Sequence, residues 1–99
     1  LLMNPLIERV SMDEAQEMIQ QGEPRTYLLD VRSTKELETG KISGAINVPL
    51  LSLRKNLGKL KQEAVYVTAS GGGKRSEHAA YILNENGFTA YVLKEGQDE

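Results

Sequence analysis

The chain has 99 residues, of which 39% are hydrophobic and 26% are charged, and its formal net charge is -2. This size predicts a single domain over residues 1–99, and the mixed, weakly acidic charge argues against nucleic acid and anionic membrane surfaces as partners. The sequence contains no cysteine, which excludes disulfides and cysteine-type zinc sites. It also lacks the run of about 20 apolar residues that a membrane span needs.

These features set the expected context of the protein. We expect no metal and no cofactor. We also expect a cytoplasmic location, which the absence of cysteine fits, and the opening residues are too few and too charged for a signal peptide. Since Met3 is not the first residue, the sequence is interpreted as a fragment of a longer chain, with a cloning scar as the alternative.

The first elements alternate between strand and helix. A strand is predicted over residues 7–10, and a helix follows from Ser11 to Gly22. Ser11 and Glu14 have the spacing of a capping box, in which each side chain satisfies a backbone N–H of the first turn. The nearly continuous apolar run 27–31 is typical of a strand that is buried on both faces of a parallel sheet.

The middle of the chain predicts shorter elements. Ser33 or Thr34 can cap a short helix that stops at Gly40, and a third strand is predicted over residues 45–48. A third helix is then predicted from the spacing of four leucines, Leu50, Leu53, Leu57 and Leu60.

The last third of the chain completes the alternation. It predicts a fourth strand over residues 64–69, a helix over residues 76–86 and a fifth strand over residues 89–93. Strands that alternate with helices indicate an α/β fold, with a mainly parallel five-stranded sheet and helices on both of its faces.

A glycine-rich loop joins the fourth strand to the following helix. In an open parallel sheet, ligands bind beyond the carboxyl ends of the strands. Glycines leave backbone N–H groups uncovered, and a helix N-terminus attracts anions. The loop is therefore interpreted as an anion-binding loop made of Ser70, Gly71, Gly72, Gly73, Lys74, Arg75 and Ser76.

Two other interpretations of this loop stay open. A nucleotide-binding P-loop needs glycine and Ser or Thr where this chain has Thr68 and Arg75, so the match is poor. The second alternative is a loop whose glycines only turn the chain.

Three segments together resemble the rhodanese family. Residues 30–49, DVRSTKELETGKISGAINVP, resemble the pattern D-V-R-x-x-x-E-[FY]-x-x-G-H-I-x-G-A-x-N-x-P. Residues 70–83, SGGGKRSEHAAYIL, resemble the active-site run C-x-x-G-x-R-S-x-x-A-A-x-x-L. The likeness continues through residues 86–96, so it spans roughly residues 7–96. Residues 5–15 also resemble rhodanese domains that follow a cyclic-nucleotide-binding domain in bacterial fusion proteins.

The resemblance implies a rhodanese-like fold with a persulfide-carrying cysteine at the start of the loop. This chain has Ser70 at that position. Sulfur transfer needs a thiolate nucleophile, and a serine hydroxyl cannot form a persulfide. No base is evident in the motif, and His78 is interpreted as a surface residue. The chain also departs from the pattern at Leu37, Lys41 and Ser43, which leaves the expected fold unchanged.

Three polar residues of the first matching segment are interpreted as structural. Asp30 is expected to accept backbone N–H groups at the end of its strand, and Arg32 and Glu36 have the spacing of a helical ion pair.

Three hypotheses about function follow. The first is a non-catalytic, regulatory module that binds a small oxyanion (sulfate, phosphate or thiosulfate) or a partner domain. The second is a thiosulfate-type sulfurtransferase whose active-site cysteine has been replaced by Ser70. The third is a serine-based hydrolase or phosphatase, which Ser70 disfavours because phosphatases on related folds use a cysteine and a longer loop.

Overall fold

Within residues 7–95, the sheet has five strands, β1 (Arg9–Val10), β2 (Thr26–Asp30), β3 (Ile46–Asn47), β4 (Val65–Ala69) and β5 (Thr89–Leu93). Their order is β1-β5-β4-β2-β3, and all four neighbouring pairs are parallel. The same part of the chain contains two α-helices, α1 (Met12–Gln21) and α2 (Arg75–Glu85). It also contains three 3₁₀ segments, Glu36–Thr39, Leu50–Ser52 and Arg54–Lys59. The predicted parallel α/β fold is confirmed.

The computed structural model describes residues 7–95. Met3, on which the expectation of a fragment depends, lies outside these residues, as do Pro5 and Gly96 at the ends of the family resemblance. Within residues 7–95, no helix combines the length and the apolar character needed to cross a membrane.

The central strand β4 is buried over its whole length, because β2 and β5 flank it and a helix covers each face of the sheet. Its side chains alternate between two cores. Tyr66 packs in the core that includes Ala79 and Leu83 of α2, and Val67 packs in the core that includes Ala15 of α1. The expected helices on both faces are therefore present.

The first helix begins and ends where the sequence predicts. The N–H of Glu14 donates to Ser11 Oγ at 3.0 Å, and the N–H of Ser11 donates to the Glu14 carboxylate at 2.7 Å. The helix stops at Gly22, which adopts a left-handed φ of 68°. The capping box and the glycine stop are thus confirmed.

The segment that was predicted as a third helix is not α-helical. The leucine segment forms two 3₁₀ segments, in which N–H groups bond three residues back, as from Leu53 to Leu50. The Asn56 side chain donates to the carbonyl of Ser52 at 2.8 Å. In an α-helix, the backbone N–H of Asn56 would donate to this carbonyl instead. Gly58 adds a residue with poor helix propensity. Leu53 nevertheless lies in the core, as its apolar character predicts.

The other short elements are also smaller than expected. The segment that Ser33 caps is a 3₁₀ turn, Glu36–Thr39, although the Ser33 hydroxyl does accept the N–H of Glu36 at 3.2 Å. The strands predicted over residues 7–10 and 45–48 shrink to two residues each, because they form the two edges of the sheet and pair on one side only.

Candidate functional site

The loop from Ser70 to Lys74 lies at the carboxyl edge of the sheet, between the end of β4 and the start of α2 at Arg75. β4 is the central strand, so the loop is flanked at this edge by the segments that follow β2 and β5. The sequence predicts this position, since a parallel sheet collects its strand-to-helix loops at one edge.

Three consecutive glycines give the loop its shape. Gly71, Gly72 and Gly73 have φ angles of 78°, 101° and 87°, a region that residues with a Cβ atom rarely adopt. A Cβ atom built on Gly71 would also lie 3.6 Å from Cδ of Arg32. The loop conformation therefore depends on glycine, and the Arg32 side chain packs close beside it.

The first two N–H groups of the loop bind a carboxylate of the chain itself. The N–H of Ser70 donates to Glu95 Oε1 at 3.0 Å, and the N–H of Gly71 donates to Oε2 at 2.8 Å. Sequence reasoning did not identify Glu95 as a site residue. Its position two residues after β5 could have indicated the contact, because β5 is the neighbour of β4 and both strands end at the same edge of the sheet.

The Ser70 side chain is buried and turned back onto the loop. The residue is 1% exposed, and its hydroxyl donates to the carbonyl of Gly72 at 3.0 Å. His78 is an exposed residue of α2, as expected, and no hydrogen bond joins it to Ser70 within residues 7–95. The site therefore lacks the serine–base pair that activates a serine nucleophile.

Arg75 holds the loop to the neighbouring 3₁₀ turn. Its guanidinium bonds to both carboxylate oxygens of Glu36, at 2.7 and 2.9 Å, and to the carbonyl of Ser70 at 3.1 Å. The hydrogen bonds from Arg75, together with the N–H of Ser33, lower the pKa of Glu36 to about 2. Glu36 is therefore ionised throughout the physiological range.

The predicted ion pair between Arg32 and Glu36 is wrong. Arg32 instead binds Asp30, with Nε at 3.1 and 3.2 Å and Nη2 at 2.9 Å from the carboxylate oxygens. Arg32 follows an extended strand rather than lying in a helix, so a residue two positions away is its nearer partner. The expectation that Asp30 accepts a backbone N–H is confirmed, since the N–H of Arg32 donates to Oδ1 at 3.0 Å.

A second structural contact was missed by sequence reasoning. The Asn47 side chain donates to the carbonyl of Asp30 at 2.9 Å and to that of Arg32 at 3.0 Å. These bonds join the end of β3 to the end of β2 and the residues that follow it. The hydrogen bonds among Asp30, Arg32 and Asn47 thus stabilise this edge of the sheet.

The far end of the loop is anchored by Thr68. Its buried hydroxyl donates to the carbonyl of Ser76 at 2.8 Å, which ties β4 to the first turn of α2. Ser76 is 1% exposed, and its own hydroxyl has no hydrogen-bond partner within the described residues. Lys74 is exposed and, with His78 and Tyr81, lines a groove on the surface of α2.

The chemical groups at this loop include backbone N–H donors and a serine hydroxyl. Backbone N–H groups can hold an anion, whereas a serine hydroxyl without a base is a weak nucleophile. Within residues 7–95, no group of three or more His, Asp or Glu side chains is placed to hold a metal ion.

Comparison with known proteins identifies relatives over most of the chain. The family described as "Rhodanese-like domain" matches residues 11–99. The Bacillus subtilis protein YqhL is 32% identical over 90 residues, which cover 90% of this chain and 71% of YqhL. Another relative from the same organism, named "Putative sulfurtransferase YtwF", is 28% identical, with coverage of 91% of this chain and 86% of YtwF.

Solved structures share the fold. The reduced Bacillus anthracis protein CoADR-RHD superposes with a TM-score of 0.80 at 30% identity, over 93% of this chain but only 16% of that longer chain. A rhodanese-like domain protein from Staphylococcus aureus has a TM-score of 0.79 at 26% identity, over 91% of this chain and 87% of its own.

Proposed function

The chain belongs to the rhodanese-like domain family, and on that premise we propose that it is a non-catalytic member that binds an oxyanion at the loop Ser70–Ser76. Candidate ligands are sulfate, phosphate, thiosulfate or an acidic group of a partner domain. The observation that carries the proposal is the Glu95 carboxylate, which already accepts hydrogen bonds from the N–H groups of Ser70 and Gly71. Donors that converge on one carboxylate have the geometry to converge on another anion.

The residue at position 70 argues against catalysis. A sulfurtransferase of this kind carries sulfur as a persulfide on a thiolate, and this chain has no cysteine at any position. The Ser70 hydroxyl is buried and donates to Gly72, so it is not presented to a substrate. We therefore expect no thiocyanate above the uncatalysed rate when the chain is mixed with thiosulfate and cyanide.

An NMR titration with sulfate tests the binding proposal. We expect the amide signals of residues 71–76 to move in a saturable way with a dissociation constant of about a millimolar, because a few charge-assisted bonds in an open loop give weak binding. Chloride at matched ionic strength is the control for general salt effects. If these amides stay still at tens of millimolar sulfate while others move, the loop is not an oxyanion site.

A second candidate function is sulfur transfer by a chain whose cysteine has been replaced by Ser70. The relative named "Putative sulfurtransferase YtwF" favours it. In Ser70→Cys, the thiolate would attack the outer sulfur of thiosulfate, form a persulfide and release sulfite, which adds the mass of one sulfur atom. Ser43→Cys is the matched control, since Ser43 is exposed and lies outside the loop. An unreactive Ser70→Cys would show that the site has lost more than its nucleophile.

A further inference from the structure

The pairing of strands in the sheet fixes the position of Glu95. β5 ends at Leu93, and the N–H of Lys94 still donates to the carbonyl of Val10 at 2.8 Å, so the β1–β5 pairing fixes the backbone up to the residue before Glu95. The Glu95 carboxylate then bridges the N–H groups of Ser70 and Gly71, one oxygen to each. We call this pair of hydrogen bonds the Glu95 contact.

Asp30 and Glu36 also lie near the loop, so Glu95 is a further acid at this site. Asp30 is paired with Arg32, and Glu36 with Arg75. Hydrogen bonds to Asp30 raise the pKa of Arg32, and the charge of Glu95 adds to that shift. The two arginines are thus already neutralised by the other two acids, and Glu95 adds a negative charge that an incoming anion would meet.

We infer that Glu95 is an internal competitor that occupies the loop in place of an external oxyanion. The inference rests on the proposed function and adds its regulation: the Glu95 contact must open before the Ser70 and Gly71 N–H groups can bind another anion. Each N–H makes one strong hydrogen bond, so the two carboxylate bonds and two sulfate bonds cannot coexist. A ligand that displaces Glu95 must supply more than one charge or further contacts, as a sulfate or a phosphorylated partner would and an acetate would not.

The gain in sulfate affinity on removing the Glu95 carboxylate depends on the fraction of molecules in which the Glu95 contact is closed. The apparent dissociation constant equals the intrinsic one divided by the fraction of molecules whose site is open. If the Glu95 contact is closed in about nine molecules of ten, removing the carboxylate tightens sulfate binding about tenfold. Removal of a like charge from the site works in the same direction.

The experiment compares Glu95→Ala with Glu63→Ala, which removes the same charge. Glu63 is exposed and precedes β4, so it lies at the opposite edge of the sheet from the loop. Without ligand, the amide signals of Ser70 and Gly71 should shift upfield and their hydrogen exchange should accelerate in Glu95→Ala only. With sulfate, Glu95→Ala should bind about tenfold more tightly than the wild-type chain, and Glu63→Ala should bind like the wild-type chain.

The two readouts separate this inference from the proposed function. Unchanged Ser70 and Gly71 amides in Glu95→Ala would overturn the Glu95 contact itself. Equal sulfate affinity in wild type and Glu95→Ala would overturn the competition while leaving oxyanion binding intact, and a gain shared by Glu63→Ala would assign the effect to net charge. If neither chain binds sulfate, the proposed function fails, and the ligand-free amide shifts alone then support the contact.

Discussion

Replacing Arg32 by methionine should destabilise the protein strongly, because it leaves the carboxylate of Asp30 without its main partner. The Asp30 side chain is 3% exposed and that of Arg32 is 15% exposed, so the pair is largely shielded from water. Removing one partner of a buried ion pair costs about 3–5 kcal/mol. We expect a loss of about 3 kcal/mol, at the lower end, because the N–H of Arg32 still donates to Asp30 in the variant. Methionine keeps an unbranched side chain beside Gly71.

Urea unfolding followed by circular dichroism measures this loss, and thermal unfolding should show a midpoint lower by roughly 12–24 °C, at about 4–8 °C per kcal/mol for a domain of this size. The double variant Asp30→Asn/Arg32→Met is the control. It removes the stranded charge, so its loss should be smaller than the sum of the two single losses. A loss below about 1 kcal/mol for Arg32→Met, with additive behaviour in the double variant, would refute the view that Asp30 is a shielded charge.

Three further predictions concern the loop and the core. Gly71→Ala should cost about 1–2 kcal/mol in urea unfolding, because Gly71 has a φ of 78°, whereas Gly58→Ala should cost less than this or stabilise, since its added methyl meets no atom within 4 Å. The pairing with Arg75 lowers the pKa of Glu36 from 4.5 to about 2, so its contribution is complete above pH 4.5 and is lost as the pH falls through 2. The stability difference between wild type and Glu36→Gln should therefore shrink over that range, and a difference that is constant from pH 5 to 2 would contradict the assignment. Tyr66→Phe should cost about 0.5–1.5 kcal/mol, because the Tyr66 hydroxyl accepts a backbone N–H at 2.9 Å. An unchanged unfolding midpoint would show that water replaces that bond.

The parts of the fold that follow from local signals were predictable. The capping box of Ser11 and Glu14, the stop at Gly22 and the buried run of β2 each depend on residues close together in sequence. The leucine segment was harder, because the spacing of Leu50 and Leu53 fits both an α-helix and a 3₁₀ segment. The choice between them depends on side-chain bonds that spacing does not encode.

The features of the site also divide into those that local sequence predicts and those that depend on the fold. The position of the glycine loop follows from the strand–loop–helix order, and the sequence identified it correctly. The partners of its charged residues depend on which strands lie side by side, and the strand order was not predicted. Spacing alone therefore paired Arg32 with Glu36, whereas the fold brings Arg75 to Glu36 from 39 positions away. Glu95 was missed for the same reason, since it reaches Ser70 across 25 positions.

If the chain is non-catalytic, as we propose, Ser70 and Glu95 would each act against sulfur chemistry. Serine removes the thiol, and the Glu95 contact places a negative charge against the backbone N–H groups of Ser70 and Gly71. A cysteine placed at position 70 would lie near that carboxylate, and a nearby negative charge raises the pKa of a thiol. Restoring the cysteine alone would therefore give a poor nucleophile as long as the Glu95 contact stays closed. The same carboxylate would weaken a site that only binds without abolishing it, because a stronger anion could displace it. These two features support our proposal of a reversible binding site over the alternative of a sulfurtransferase that lacks only its cysteine.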